Sequence, residues 1–234
     1  MAADEEKLSV RIEERVEVII TGGDPLPGSA GEHRLQEKYG KTTQATAFYK
    51  HQVINHLNPA MQAFLARQEM MFLATSDAKG AADSSFRAGH PGFVKVLDDR
   101  TIAYPEYRGN NVMASLGNIS ENPHVGLLFV DFSDQIGLHV NGDAQIVEND
   151  EFLKFLKDHP AEEAILADAV LKDIMESDGG HLERWVMVSV AEAYMQCSKH
   201  IPPMRRMDHD IQWGAPTDHH VHGGDYFGTA HDPK

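Results

Sequence analysis

Cysteine is nearly absent from this chain: Cys197 is the only one among 234 residues. An intrachain disulfide is therefore impossible, and a zinc centre built on several thiolates is excluded. Cys197 itself is read as a small buried hydrophobe rather than a reactive thiol. Long apolar stretches are missing too. There is no run of about 18 apolar residues, so no membrane-spanning segment is expected. The acidic opening MAADEEKLSVRIEERVEV lacks the apolar centre of a secretory signal, and a cytoplasmic location is the expectation. Cations are scarce, with 21 Lys and Arg against 36 Asp and Glu, a net charge of −15. Such a surface repels phosphate backbones and argues against nucleic-acid partners. It also makes any local gathering of Arg and Lys more informative.

What remains is ordinary globular material, 41% hydrophobic and 24% charged, long enough for one sizeable core. Residues 15–20 have the composition of a short strand, and Gly22-Gly23-Asp24-Pro25 with Pro27-Gly28 is turn chemistry. Residues 29–68 read as helical, interrupted at Leu57-Asn58-Pro59, with Pro59 opening the last piece. From residue 70 to 147 short β-prone runs alternate with turns. These cover residues 71–75, 82–86, 92–97, 101–105, 124–132 and 137–147, with a short helix at 112–119. Helical spacing returns in Phe152, Phe155, Leu156, Ile165, Leu166, Val170, Leu171 and Ile174, and residues 185–196 form a last strand. About six short strands and one small inserted helix point to a closed antiparallel barrel with helices outside. The expected division is an extension at residues 1–28, a single domain at 29–200 and a His-rich tail at 201–234.

Two segments have chemistry worth singling out. Ser84-Ser85-Phe86-Arg87-Ala88-Gly89-His90-Pro91-Gly92-Phe93-Val94-Lys95 joins two strands and combines hydroxyls, cations and glycines. Hydroxyls and cations suit phosphate oxygens, and glycine admits a close ligand. The alternative is a surface loop with incidental charges. Tyr104-Pro105-Glu106-Tyr107-Arg108-Gly109-Asn110-Asn111 leads into a helix start, where free N–H groups and the dipole favour an anion. The alternative there is plain capping by Asn111. Two anion-suited loops one hairpin apart are harder to dismiss than either alone.

These segments, continued by Ser115-Leu116-Gly117-Asn118-Ile119-Ser120-Glu121-Asn122-Pro123-His124-Val125-Gly126-Leu127-Leu128-Phe129, resemble the FMN-binding split barrels of the pyridoxamine-phosphate-oxidase superfamily. More narrowly, the chain is similar to a branch described as FMN-dependent enzymes of unidentified substrate. The resemblance spans roughly residues 30–200. It implies a mainly β fold with flanking helices, an antiparallel split β-barrel that is homodimeric, with FMN in a groove between two barrels. By the same analogy Ser85, Arg87 and Lys95 hold the phosphate or line the flavin edge. The backbone around Val94 and Val96 approaches the ring, and Tyr104 and Pro105 pack beside it. Asn110, Asn111 and Ser115 complete the phosphate pocket. Gln196, Lys199 and Arg205 reach the partner's flavin. The implied activity is an FMN-dependent oxidoreductase acting on a small organic molecule; the alternative is a non-catalytic flavin- or haem-binding protein on the same fold.

The chain departs from the pattern in places. Val112 and Gly117 stand where such relatives commonly carry a basic residue, which weakens the phosphate site. Arg206-Met207-Asp208-His209-Asp210 does not reproduce the Arg-x-His-x-Arg signature of the true oxidases, so vitamin B6 oxidation is disfavoured. His209, His219, His220, His222 and His231 lie in an acidic tail, read as a solvated or partner-covering segment rather than a specific metal site. His90 is the better histidine candidate for touching a ligand; His139 also falls near the barrel. Trp185 is read as core, and Trp213, Tyr226 and Phe227 as packing residues.

Overall fold

The structure is a computed structural model that describes residues 26–158, 170, 172 and 182–205. The expected strand at residues 15–20, the helical positions Ile165, Leu166, Leu171 and Ile174, and the tail from residue 206 onward lie outside the described residues. Among those described, no helix is long and apolar enough to cross a membrane.

Among the described residues three helices precede the sheet: α1 (Ala30–Lys38), α2 (Thr42–Gln52) and α3 (Pro59–Leu65). Side chains begin two of them as the sequence signals: Ser29 accepts from Glu32 N–H, and Asn58 accepts from Met61 N–H ahead of Pro59. Seven strands follow, β1 (Met70–Ser76), β2 (Ala82–Ala88), β3 (Lys95–Val96), β4 (Thr101–Tyr107), β5 (His124–Asp131), β6 (Ile136–Glu148) and β7 (Leu182–Gln196). Helix α4 (Ala114–Glu121) stands between β4 and β5, and α5 (Asn149–Asp158) follows β6. The strand expected at residues 92–97 shrinks to the two-residue β3, because the segment ahead of it is pinned into a loop. There Gly89 and Gly92 donate to the carbonyls of Glu69 and Gln68.

All pairings in the sheet are antiparallel, in the order β2-β1-β5-β6-β7-β4-β3. The seven strands fall on the seven expected runs, but they are not all short. β6 and β7 run for 13 and 15 residues and form the spine of the sheet. Nor is the barrel closed by a ladder, because β2 and β3 are the two edges of the order. The molecule is a split barrel.

Period-two alternation sorts the strand side chains into two layers. Leu73, Leu127, Val140, Val186, Val188 and Ile102 meet in the inner core with Leu57, Phe64 and Leu65 from the helical segment. Ala103, Trp185 and Met187 point the other way and pack on α5 through Phe152 and Leu156. Those two are four residues apart and so share one helix face. The rings of Phe152 and Trp185 lie 4.7 Å apart, and Trp185 is fully buried as expected. Cys197 is not. It follows the last residue of β7 and is exposed, because the chain leaves the sheet there.

The register of β6 against β7 shifts between Asn141 and Gly142. A Cβ at Gly142 would overlap the carbonyl oxygen of Ser189 on β7, so only glycine lets the two backbones approach at this bulge. Gly142→Ala is expected to destabilise the protein by about 1–3 kcal/mol, read as a lowered Tm or denaturation midpoint.

Candidate functional site

The edge strand β2 places Asp83, Ser85 and Arg87 on one face. Their cross-strand partners on β1 are Thr75, Leu73 and Met71, all buried, so these three polar side chains point to the barrel side. Phe86, on the opposite face, is exposed against Phe72 at 5.7 Å between ring centroids. Helix α4 is fastened over the end of β1 by two side-chain bonds. Asn118 donates to Thr75 Oγ1 at 3.0 Å and Asn122 to Ser76 Oγ at 2.8 Å. This brings the first turn of α4 beside β2: Ser85 Oγ and Ser115 Oγ are 2.9 Å apart, 30 residues distant in sequence.

The start of α4 is unusual. Asn111 does not cap it. The residue at the cap is Met113, with φ 56°, and among the described residues no side chain caps the helix. Asn110 Oδ1 instead accepts from Val112 N–H at 3.0 Å, and Asn111 has φ 63°. Left-handed backbone is tolerable for asparagine but costs a methionine roughly 1 kcal/mol. The N–H groups of the first helical turn have no intrahelical acceptor, and Ala114 and Ser115 of that turn line the same cleft as Ser85.

Arg87 completes the arrangement. Its Nη1 donates to Ser85 Oγ at 3.1 Å and to the Phe86 carbonyl at 3.0 Å. Its Nε and Nη2 both donate to Glu106 Oε1, at 2.7 and 2.6 Å. Glu106 belongs to β4, and β2 and β4 are not neighbours in the sheet. The ion pair therefore spans the opening of the barrel. Burial pushes the Glu106 carboxyl above its usual range; Arg87 opposes that shift, but less strongly. Tyr104, two residues earlier on the same face, is fully buried, and its hydroxyl has no hydrogen-bond partner among the described residues. Burial, reinforced by Glu106, holds its phenol proton far above the ordinary range.

These groups surround a cleft of about 550 Å³, within the ordinary size of a small-molecule site. Ser85, Arg87, Asn110, Asn111 and Ser115, all expected from the sequence, line it together. The remaining expected residues lie elsewhere. Lys95 donates to the Gly92 carbonyl at 3.1 Å, and the Val94 and Val96 side chains pack into the inner core. Tyr104 and Pro105 are buried in β4. Gln196 and the exposed Lys199 and Arg205 sit at the far end of β7 from the cleft residue Glu183. Gln196 is bonded there to His139, whose ring stacks on Tyr194 at 4.6 Å. His90 is exposed and does not line the cleft. Of the two departures, Val112 lines the cleft as an exposed apolar side chain, and Gly117 faces open space.

Sequence reasoning missed three carboxylates, Asp83, Glu106 and Glu183, which line the same cleft. The signal for two of them was present. Asp83 alternates with Ser85 and Arg87, and Glu106 with Ile102 and Tyr104, so period two assigns each to a polar or core-facing row. Arg87 is the single cation among the described lining residues. Among the described residues no group of His, Cys, Asp or Glu is placed to hold a metal ion.

A split barrel with a hydroxyl, guanidinium and helix-start cleft at its opening defines the class of protein. The chain belongs to the pyridoxamine 5'-phosphate oxidase family, whose model matches residues 57–197. It is also similar to three solved structures. HupZ from Group A Streptococcus is 20% identical, covering 59% of this chain and 93% of that one, with a TM-score of 0.41. An FMN-binding protein from Syntrophomonas wolfei is 9% identical, covering 72% and 98%, with a TM-score of 0.38. HutZ, the haem storage protein from Vibrio cholerae, is 16% identical, covering 60% and 93%, with a TM-score of 0.35. No curated protein matches the chain.

Removing one partner of a buried ion pair leaves the other charge without compensation. Arg87→Ala is expected to cost about 3–5 kcal/mol of unfolding free energy in chemical denaturation. The raised Glu106 carboxyl also gives stability a pH dependence of known sign. Its contribution is fullest below the ordinary glutamate value and is lost as pH rises through its elevated folded value. Glu106→Gln is expected to lack that segment when stability curves of variant and wild type are subtracted.

Proposed function

We propose that this protein binds FMN, with the phosphate in the cleft between β2 and α4, and works as an oxidoreductase on a small organic substrate. The observation that carries the reading is the convergence of Ser85, Ser115 and Arg87 Nη1 on the uncapped start of α4. Such a set suits a phosphate monoester: two hydroxyls, a guanidinium edge and backbone N–H groups whose dipole favours an anion. The hydroxyls and the guanidinium are already linked at 2.9 and 3.1 Å, so little side-chain ordering remains to be done on binding. FMN, when bound, supplies the redox chemistry. The chain's own part is to bind and orient it.

The exposed apolar residues Val112 and Met113 stand at the same cleft and offer contact area to a planar ring system. A homodimer that seats the ring between two barrels gives Gln196, Lys199 and Arg205 a role on the partner's site. That role would account for their distance from the cleft of their own protomer.

The second reading is binding of a flavin or haem without catalysis. Asp83, Glu106 and Glu183 give the cleft more carboxylates than its single described cation can balance. That excess weakens a dianionic ligand there, FMN and a haem with its two propionates alike, so spectra and turnover separate the two readings.

Titration with FMN, followed by absorbance, distinguishes the readings. The oxidoreductase reading expects saturable FMN binding, with the bound flavin retained on desalting and turning over in repeated cycles of reduction and reoxidation with a substrate. Bound flavin without turnover supports the second reading. A Soret band on adding haem, with no flavin uptake, supports the second reading and overturns the first. Arg87→Ala, where circular dichroism shows it folded, is expected to weaken FMN binding by about 1.5–3 kcal/mol, the loss of a charge-assisted bond. The affinity for riboflavin, which lacks the phosphate, is expected to stay unchanged.

A further inference from the structure

We propose that Glu106 is an internal competitor for the phosphate site, so that a phosphate dianion enters the cleft together with a proton taken from solvent onto the Glu106 carboxylate. The inference rests on the FMN reading above and deepens it. Glu106 Oε1 alone receives both Nε and Nη2 of Arg87, and Nη1 donates to Ser85 Oγ and the Phe86 carbonyl. Among the described residues, only the second proton on Nη2, of the five on the guanidinium, is therefore uncommitted, and an anion on the serine side must share or displace the Nη1 bonds. An anion held there lies within roughly 5–6 Å of the Glu106 carboxylate, the span of a guanidinium fork plus a hydrogen bond. At that distance, with an effective dielectric of about 20, an ionised Glu106 weakens dianion binding on the order of ten-thousandfold before Arg87 and solvent screen it.

The charges facing Glu106 decide whether it can take the proton. From β2 come Arg87 and, in the wall of the cleft, Asp83; from its own strand comes Tyr104. From β7 come Glu183 and Arg184, which stand 3.6 Å apart and partly cancel. The two arginines favour the carboxylate, whereas burial and Glu183 favour the acid, and burial is the largest influence. An arriving dianion adds to the side of the acid. Once protonated, Glu106 no longer draws on the charge of Arg87, and the guanidinium serves the phosphate. The exchange moves one proton and no electrons.

Calorimetric titration of FMN and of riboflavin into the full chain tests this, in buffers of different ionisation enthalpy between pH 7 and 8.5. The FMN phosphate is largely dianionic throughout that range, since its second ionisation lies near about 6. For the wild type, FMN affinity is expected to fall by up to about tenfold per pH unit. Proton uptake should accompany FMN and not riboflavin. Glu106→Gln is expected to bind FMN more tightly than wild type at pH 8.5, with a flat pH profile. Wild-type FMN binding with no proton uptake and no pH dependence overturns the inference and leaves the FMN reading standing. No FMN binding by either protein overturns both. Should Glu106→Gln fail to fold, the buffer series on the wild type decides alone.

Discussion

The opening of this barrel is bridged by charge where a continuous sheet would bridge it by backbone hydrogen bonds. β2 and β4 belong to opposite ends of the strand order, yet Arg87 and Glu106 meet at 2.6 Å across the gap. A ladder at that seam would bring the backbones together and fill the space between them with side chains. An ion pair reaches further and leaves a cavity beside it. The site thus exists because the sheet curls far enough to bring its ends within side-chain reach but does not close. The long β6–β7 pair with its bulge at Gly142 and the packing of α5 on the outer face give the sheet that shape.

Electrostatics at the seam work in two directions. A chain of net charge −15 has little positive potential to spare, and the cleft concentrates what it has in one guanidinium. Glu106 fixes the orientation of that guanidinium with two hydrogen bonds and at the same time neutralises it. A buried pair of this kind contributes little net stability compared with apolar packing, whereas its geometry directs Arg87 Nη1 onto Ser85. Orientation and affinity for anions are therefore in tension at a single residue. The uncapped, strained start of α4 belongs to the same economy: Met113 in left-handed backbone leaves N–H groups unsatisfied next to the serines, a strain of the sort found at ligand sites.

Much of this was legible in the sequence. The β-prone runs at residues 101–105 and 185–196 mark two strands, Phe152 and Leu156 mark one face of α5, and Ser29, Asn58 and Pro59 announce their helices. The anion-suited character of the two loops was legible as well, since it depends only on which residue types they carry. Other features left weaker marks. The collapse of residues 92–97 to a two-residue β3 follows from hydrogen bonds to Gln68 and Glu69, more than twenty positions earlier. Asn111 looks like a cap by composition, yet the chain turns two residues later. Cys197 has the chemistry of a buried residue and lies exposed because the strand ends just before it.

The sequence by itself determined the element types, the inward and outward faces of the strands, the scarcity of cations and the residue types that can receive a phosphate. These are local properties, fixed by period, propensity and side-chain chemistry. Only the tertiary structure decided that Ser85 touches Ser115, that Arg87 is held by Glu106, and that three carboxylates share the cleft with one guanidinium. The first two contacts join segments 30 and 19 residues apart on elements that are not sheet neighbours. They depend on how far the whole sheet curls, a quantity that no stretch of sequence contains.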